Sequence, residues 1–381
     1  MKNGWKTRPL GELCDVLDYK RKPITKKYRI AGDYPYYGAT GILGHVEGYI
    51  FDEPLVLVGE DGAKWGSGEN TAFAAEGKIW VNNHAHVLRP NRAMLLDSWL
   101  IYHLNHSDMT EFVSGLTVPK LNQGSLRAVP VPLPPVPQQQ RIVGILDEAF
   151  ESIATAKATA EKNLQNARAL FESHLQSVFT QRGPGWVDRQ LDSLCHKITV
   201  GHVGSMAREY KESGVPFLRS QNIRPFEVTL ENVVFIDDAF HHSLDKSRLR
   251  PGDLAIVRTG YPGTAAVIPL DMPDANCSDL VIVRPSPEVN PHFLAAFFNS
   301  DFGKQLVLGK IVGAAQKHFN INAAKEVMLH VPPMPEQLTI IKMVGSFREE
   351  TQHLESIYQR KLTALDALRK SLLHQAFTGD L

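Results

Sequence analysis

Cysteine is scarce in this chain of 381 residues. Cys14, Cys195 and Cys277 are odd in number, far apart, and form no CxxC pair. That excludes a disulfide framework and fits a reducing compartment. No run of about 18 apolar residues occurs, which leaves no membrane-spanning helix to expect. The opening MKNGWKTRPL lacks the apolar core of a secretory leader. The expectation is a soluble, cytoplasmic protein with no membrane partner. Net charge is missing too, with 41 Lys and Arg against 41 Asp and Glu. Nucleic-acid binders are often basic overall, so this balance counts mildly against that class.

Catalytic signatures are equally thin. Gly59-Glu60-Asp61-Gly62-Ala63-Lys64 lacks the Gly-Lys-Ser/Thr of a phosphate loop. No GxGxxG and no GxSxG appears. Asp301-Phe302-Gly303 spells a kinase triplet with no VAIK or HRD before it. Neither the Asn-Pro-Pro-Tyr type of tetrapeptide nor the glycine-rich cofactor loop of an amino-methyltransferase is found. Glu76-Gly77-Lys78 resembles half of a nuclease pair without its partner acid. His84-Ala85-His86 and His241-His242 have no third ligand at metal spacing. No metal, cofactor or catalytic residue is expected on this chain.

An internal duplication is present instead. GWKTRPLGELC at 4–14 recurs as GWVDRQLDSLC at 185–195, an offset of 181. LPPVPQQ at 133–139 recurs as VPPMPEQ at 331–337, an offset of 198. ALFESHLQSVFT at 169–180 recurs as ALRKSLLHQAFT at 367–378, again at 198. Three matches in one order mark a repeated unit of globular part, Pro-rich linker and helix, and the second globular part carries 17 extra residues.

The linker VPVPLPPVP at 129–137 cannot continue a helix or fill a central strand. It is read as a stiff extended lead-in to a helix start. The proline-free runs that follow carry apolar residues at 3-4 spacing. One stripe is Ile142, Leu146, Ala149, Ile153, Ala156, Ala160, Leu164, Ala167, Phe171 and Val178. The other is Ile340, Val344, Phe347, Leu354, Leu362, Leu365, Leu368 and Leu372. This is a coiled-coil seam on helices roughly 60 Å long. Gly183-Pro184-Gly185 ends the first helix. The boundaries expected are 1–137, 138–182, 183–335 and 336–381. In the globular parts, 51–58 and 253–258 read as buried strands, and 99–106 and 293–300 as short helices. The class is α+β, or mixed α/β, with an irregular sheet.

Several loops carry the residue types that read base edges and phosphates. In the first domain these are Lys20, Arg21 and Lys22 of the basic run KRKPITKKYR. Tyr37 and Thr40 of YPYYGATG, Lys64 and Trp65, and Asn82, Asn83 and His84 follow. In the second they are Arg219, Ser220, Gln221, Asn222 and Arg224 of FLRSQNIRP, then Arg258, Thr259 and Tyr261. Each cluster alone is explained as well by turn chemistry. Their recurrence in a duplicated frame favours duplex DNA.

The duplicated frame, FLRSQNIRP, GDLAIVRTGYPGTAAVIP at 252–269, NNHAHVLRP at 82–90 and the PPxPxQ junctions together resemble the specificity subunits of type I restriction–modification systems. The resemblance covers essentially the whole chain. It implies two target recognition domains, one per half of a bipartite site, spaced by two helices packed as an antiparallel coiled coil with pseudo-twofold placement. It also implies double-stranded DNA, two methyltransferase (M) subunits and restriction/motor (R) subunits as partners. S-adenosylmethionine, ATP and Mg would be bound by those partners and not by this chain. Helix length would set the spacer: removing Ala158–Glu161 shortens a helix by about 6 Å, one or two base pairs. The competing readings are a coiled-coil interaction scaffold without DNA and a stand-alone methyltransferase or nuclease.

Overall fold

The computed structural model describes residues 4–115, 117–181, 183–206, 208–309 and 319–381. In chain order the first half runs β1 (Lys6–Pro9), α1 (Leu10–Leu13), β2 (Cys14–Val16), β3 (Tyr34–Gly38), β4 (Gly41–Val46), β5 (Phe51–Asp52), β6 (Leu55–Gly59), β7 (Ala72–Ala75), β8 (Lys78–Val81), β9 (Ala85–Pro90), α2 (Asp97–His106), β10 (Val113–Ser114), β11 (Lys120–Leu121), α3 (Gln123–Ala128), β12 (Pro130–Leu133) and α4 (Val136–Thr180). The second runs β13 (Val187–Gln190), β14 (Cys195–Val200), β15 (Val215–Leu218), β16 (Ile223–Arg224), β17 (Glu227–Val228), β18 (Val234–Ile236), α5 (Asp238–Ser243), β19 (Arg248–Leu249), β20 (Leu254–Val257), β21 (Ala265–Val267), β22 (Ala275–Cys277), β23 (Leu280–Pro285), α6 (Pro291–Asn299), α7 (Asp301–Gly309), α8 (Ile321–Lys325), β24 (Met328–Val331) and α9 (Met334–Thr378).

The chain forms two compact units, Met1–Glu161 with Gln359–Leu381, and Lys162–Tyr358. Each contains one globular part and a stretch of both long helices. The compact units therefore cut through α4 and α9, because the helix stripes find their cover on the globular parts as well as on each other.

The first unit holds two four-stranded sheets, ordered β2-β9-β6-β7 and β4-β3-β8-β5. The run Leu55–Val58 explains why one sheet is buried on both faces. Val56 and Val58 face Leu10, Trp99, Leu100 and the helix residues Ile142, Leu146, Leu373 and Phe377. Leu55 and Leu57 face Phe51, Ile79 and Val81 of the strands beneath. A continuous apolar strand is what such a middle layer requires. Pro54 separates β5 from β6, so the expected strand at 51–58 is two strands.

The second unit repeats this plan with sheets β14-β23-β20-β21 and β18-β15-β22-β19. Leu254 and Ile256 face α6 and the helix residues Leu175, Phe179, Ile340 and Val344. Ala255 and Val257 face Leu218, Leu249 and Cys277. Among the described residues each unit has one parallel strand pair, β3 with β8 and β15 with β22, among antiparallel strand pairs. In α7 the Asp301-Phe302-Gly303 triplet has a packing origin: a Cβ at Gly303 would lie 2.0 Å from the Phe297 carbonyl oxygen.

Strand register locates the extra residues of the second copy. Tyr36 pairs with Gly44, and Phe217 with Val234, so the offset rises from 181 to 190 between those partners. Phe51 pairs with Ile79, and Leu249 with Ala275, so the offset has reached 198 by Leu249 and is 196 at Ala275. The first step inserts the Ser220–Asn222 turn and the β16–β17 hairpin. The second inserts α5 and the Asp245–Ser247 turn.

The Pro-rich linkers are not free lead-ins. Lys6–Pro9 pairs with Pro130–Leu133 in a two-stranded sheet, and Val187–Gln190 pairs with Met328–Val331 in another. Proline is tolerated because each strand has a single neighbour. Each linker ends in a glutamine that is 0 % exposed, Gln139 and Gln337. Gln139 accepts from the Leu96 amide and donates to the Met94 and Pro134 carbonyls. Gln337 accepts from the Asn290 amide and donates to the Glu288 and Pro332 carbonyls. The glutamine of PPxPxQ thus ties the helix start to the segment before α2 or α6. Leaving such buried groups unpaired costs about 1–3 kcal/mol each, which accounts for its presence in both copies.

Within each unit the two helices lie antiparallel. In the first, Lys157 pairs with Asp366 at 2.7 Å and Arg369 lies over Phe150. In the second, Arg168 meets Glu355 at 3.2 Å and Phe347 contacts Phe171 and His174. Leu146, Ile153, Ala160 and Ala167 are buried at heptad spacing. The expected stripe departs at Leu354 and Leu368, which are exposed. Leu175, Phe179, Leu373 and Phe377, outside that stripe, are buried because the helix ends pack on globular cores.

Candidate nucleic-acid interface

The loops that leave β6, β8, β20 and β22 gather the polar residues selected from the sequence. In the first unit, Asp18 opens a short 3-10 turn, Asp18–Lys20, after β2. Its Oδ1 accepts from the Val87 amide and its Oδ2 faces His86 Nδ1 at 2.6 Å. His86 Nε2 faces the Leu121 carbonyl at 2.7 Å. Arg21 pairs with Glu60 and Asp18 and donates to the Ala85 carbonyl at 2.8 Å. Lys120 Nζ lies 2.7 Å from Glu60 Oε1.

The carboxylates stay charged within this cluster. Burial works to raise the Asp18 carboxyl, but hydrogen bonding to His86 and the Val87 amide, with the charge of Arg21, holds it below the ordinary range. Burial likewise opposes the Glu60 carboxylate, and Lys120 and Arg21 hold it low. Asp18, Glu60 and His86 lie close enough together to resemble a cation site. Arg21 and Lys120 already neutralise the acids, and both His86 ring nitrogens face oxygen acceptors, so the cluster reads as an ion-pair network.

This geometry places several of the sequence candidates inside the fold. Arg21 is an internal tie, because three groups of its own chain surround its guanidinium. Trp65 is buried and donates to the Gly59 carbonyl at 3.0 Å, so the 62–68 loop is pinned. Asn82 is buried and accepts from the His84 amide at 2.8 Å. His84 and His86 do not share a face: His84 sits exposed in a turn against Asp61, while His86 is 0 % exposed on β9.

The others remain outward. Lys20 and Lys22 are exposed, and the Lys22 carbonyl accepts from the Trp80 indole. Asn83 and Lys64 are exposed. Thr40 caps the β3–β4 hairpin beside Tyr37, which stacks on Phe73. Tyr37 and Thr40 line a cavity of about 600 Å³ with Asn70, Phe73 and Tyr102. Exposed Tyr19 and Tyr28 carry Lys20 and Lys27 near their rings.

In the second unit, Asn222 is 0 % exposed and works as a loop staple. It accepts from the Arg219 amide and donates to the Thr229 and Glu231 carbonyls. Arg219 and Gln221 donate to the Asn232 carbonyl, and Arg224 pairs with Glu231 on the surface. Arg258 donates to the Phe319 carbonyl at 3.2 Å. Ser220 and Thr259 hydroxyls converge on Asp279. Tyr261 is 84 % exposed. Ser220, Gln221, Arg224, Thr259 and Tyr261 line one cavity of about 810 Å³, floored by Ile223, Val257 and Leu308. Phe226, at the β16–β17 turn, packs on Phe171 and under Arg348 instead of facing out.

Sequence reasoning missed Glu60, Lys120 and Asp279. Asp279 was legible through the repeat, since Ser278-Asp279-Leu280 stands where Asn83-His84-Ala85 stands. Lys120 had no such signal.

A family model described as the type I restriction modification DNA specificity domain matches residues 2–165. The chain is 28 % identical over 362 residues to a Haemophilus influenzae protein named as a type I restriction enzyme specificity subunit, covering 92 % of this chain and 89 % of that protein. It is 21 % identical over 359 residues to the EcoKI specificity subunit of Escherichia coli K12, covering 87 % and 75 %. Among solved structures, a chain of a type I R-M system studied for complex assembly and conformational transition aligns with a TM-score of 0.77 at 19 % identity, over 100 % of this chain and 99 % of that one. The HsdS subunit of Thermoanaerobacter tengcongensis aligns with a TM-score of 0.59 at 18 % identity, over 100 % and 98 %. The last two likenesses concern the fold; residues 2–165 match the type I restriction modification DNA specificity domain, and over most of its length the chain is similar to type I restriction enzyme specificity subunits.

Proposed function

We propose that each unit reads one half of a bipartite duplex target through the loops at the β6/β8 or β20/β22 end of its sheets. The observation that supports this is convergence. Polar residues far apart in sequence, such as Asp61 and His84, or Ser220, Thr259 and Tyr261, meet at the corresponding end of two independently built sheets. The unequal insertions make the two ends chemically different, so the two half-sites should be unlike. The chain then serves as a non-catalytic recognition subunit. Methyl transfer from S-adenosylmethionine would belong to two methyltransferase subunits, and ATP- and Mg-dependent cleavage to restriction subunits. Among the described residues no helix is long and apolar enough to cross a membrane.

The test is methylome sequencing of a host carrying this chain with its partner subunits. A gapped motif with unlike halves is expected, and a continuous motif would refute the two-reader scheme. Binding of duplex DNA by the chain should fall steeply with salt, by a log–log slope of about 0.9 per phosphate contact. Salt-insensitive or absent binding would favour a protein scaffold.

A further inference from the structure

Register identifies equivalent positions where the sheets end. In the first unit Val58 pairs with His86 and Gly59 with Ala85. In the second Ile256 pairs with Val281 and Val257 with Leu280. Just beyond, Asp61 meets His84 in the first unit, and Thr259 meets Asp279 in the second. One node of the fold thus carries a polar pair in both units, with the acid on opposite partners.

Asp279 is the more constrained of the two. Its φ is +57°, one of three positive values at non-glycine residues among those described. Backbone held in this region costs energy and persists where surrounding structure enforces it, which is common at functional sites. The enforcement is visible. Thr259 Oγ1 donates to Oδ1 at 3.1 Å, Ser220 Oγ to Oδ2 at 3.2 Å, and the Arg258 amide reaches the Asp279 carbonyl. Ser220 belongs to the segment inserted in the second copy, and Thr259 leads to exposed Tyr261. Asp279 is partly exposed. Two hydroxyls occupy one acceptor direction on each carboxylate oxygen and leave further lone pairs. The segments that hold it also carry the positive charges of Arg219 and Arg258.

We propose that Asp279 is a specificity-determining residue of the second unit, its carboxylate accepting the exocyclic amino group of a cytosine or adenine in the second half-site. This rests on the duplex-reading function above. A carboxylate is the acceptor matched to cytosine N4, and adenine N6 offers the same donor. The plain alternative is an acid chosen because Asp and Asn tolerate left-handed backbone.

Two substitutions separate these roles. Glycine adopts φ +57° without strain, and Asn keeps the turn while exchanging an acceptor for a donor. Full-length Asp279→Gly and Asp279→Asn chains are expressed with the partner subunits, and their methylomes and duplex affinities compared with wild type. Both variants are expected to stay folded, keep the first half-site, and lose roughly ten- to hundredfold discrimination at one base pair of the second. Their salt slopes stay unchanged. The wild-type base at the affected position, cytosine or adenine, identifies the donor. A wild-type motif in either folded variant overturns the proposal. A wild-type chain that yields no gapped motif refutes the reading of duplex DNA itself.

Discussion

His103 makes the docking of the C-terminal helix on the first unit sensitive to acid. Its ring is almost fully buried against Phe377 of α9, with centroids 5.3 Å apart. Nε2 donates to the Pro130 carbonyl at 2.8 Å, which leaves Nδ1 to accept from Ser107 Oγ. That is a satisfied neutral imidazole. Burial, with a small contribution from neighbouring His106, pulls its pKa from 6.5 down to about 4, against the Pro130 bond. The unfolded chain therefore takes up a proton near pH 6.5 while the folded chain waits until about 4. Stability contributed by the neutral ring is present above pH 6.5 and is lost as pH falls. Linkage puts the loss between pH 7 and pH 5 at about 2 kcal/mol. His106 is depressed by burial and by His374, and adds a change of the same sign. The variant His103→Gln keeps a donor for Pro130 and removes the titration. Urea midpoints at pH 7 and pH 5 should separate strongly for wild type and by about 2 kcal/mol less for His103→Gln. Equal pH dependence in the two proteins would show that the ring is not held neutral in this core.

Four further outcomes follow from the packing and the charges. Phe377→Ala and Phe179→Ala each empty a helix anchor and should cost about 3–5 kcal/mol in their own unit, read by urea unfolding. Gln139→Leu leaves the Leu96 amide and two carbonyls without their partner and should destabilise the first unit by at least about 1–3 kcal/mol. Lys22→Ala should reduce the salt slope of duplex binding by about 0.9, whereas Arg21→Gln should leave it unchanged. In Arg21→Gln, amide exchange at residues 20–22 should quicken while β6 stays protected; a lowered slope would make Arg21 a phosphate contact after all. Glu60 and Asp18 are both held low, so their contribution is present above the ordinary carboxylate range and fades as pH drops below about 4.

The frame of this fold was legible because it is written in periodicities. Leu55–Val58 is continuous because its sheet is covered twice, and the 45-residue helices begin one residue before Pro137 and Pro335, where proline is tolerated. The seam was only half legible. Leu354 and Leu368 fit the 3-4 pattern yet face solvent, while Phe179 and Phe377 are buried by globular cores that no helical period encodes. The repeat showed that the second copy is longer, but only strand pairing divides the excess between the hairpin after Leu218 and the helix after Ile236.

Residue type could not say which polar groups face outward, and the reason is geometric. Arg21 and Lys22 are neighbours in a basic run, yet one is surrounded by acceptors of its own chain and the other is exposed. Asn222 and Gln221 are neighbours too, and only the first spends all its amide bonds on the loop that carries it. A long polar side chain becomes structural when buried backbone carbonyls outnumber local donors, a property of chain crossings and not of composition. The crossings that matter are the strand ends at 59–61 with 82–85 and at 257–259 with 278–280. The duplication preserves them while exchanging what they hold, His84 with Asp61 against Asp279 with Thr259. A pair that only closed the sheet would have little reason to swap its acid from one strand to the other. A pair presented to two different half-sites would.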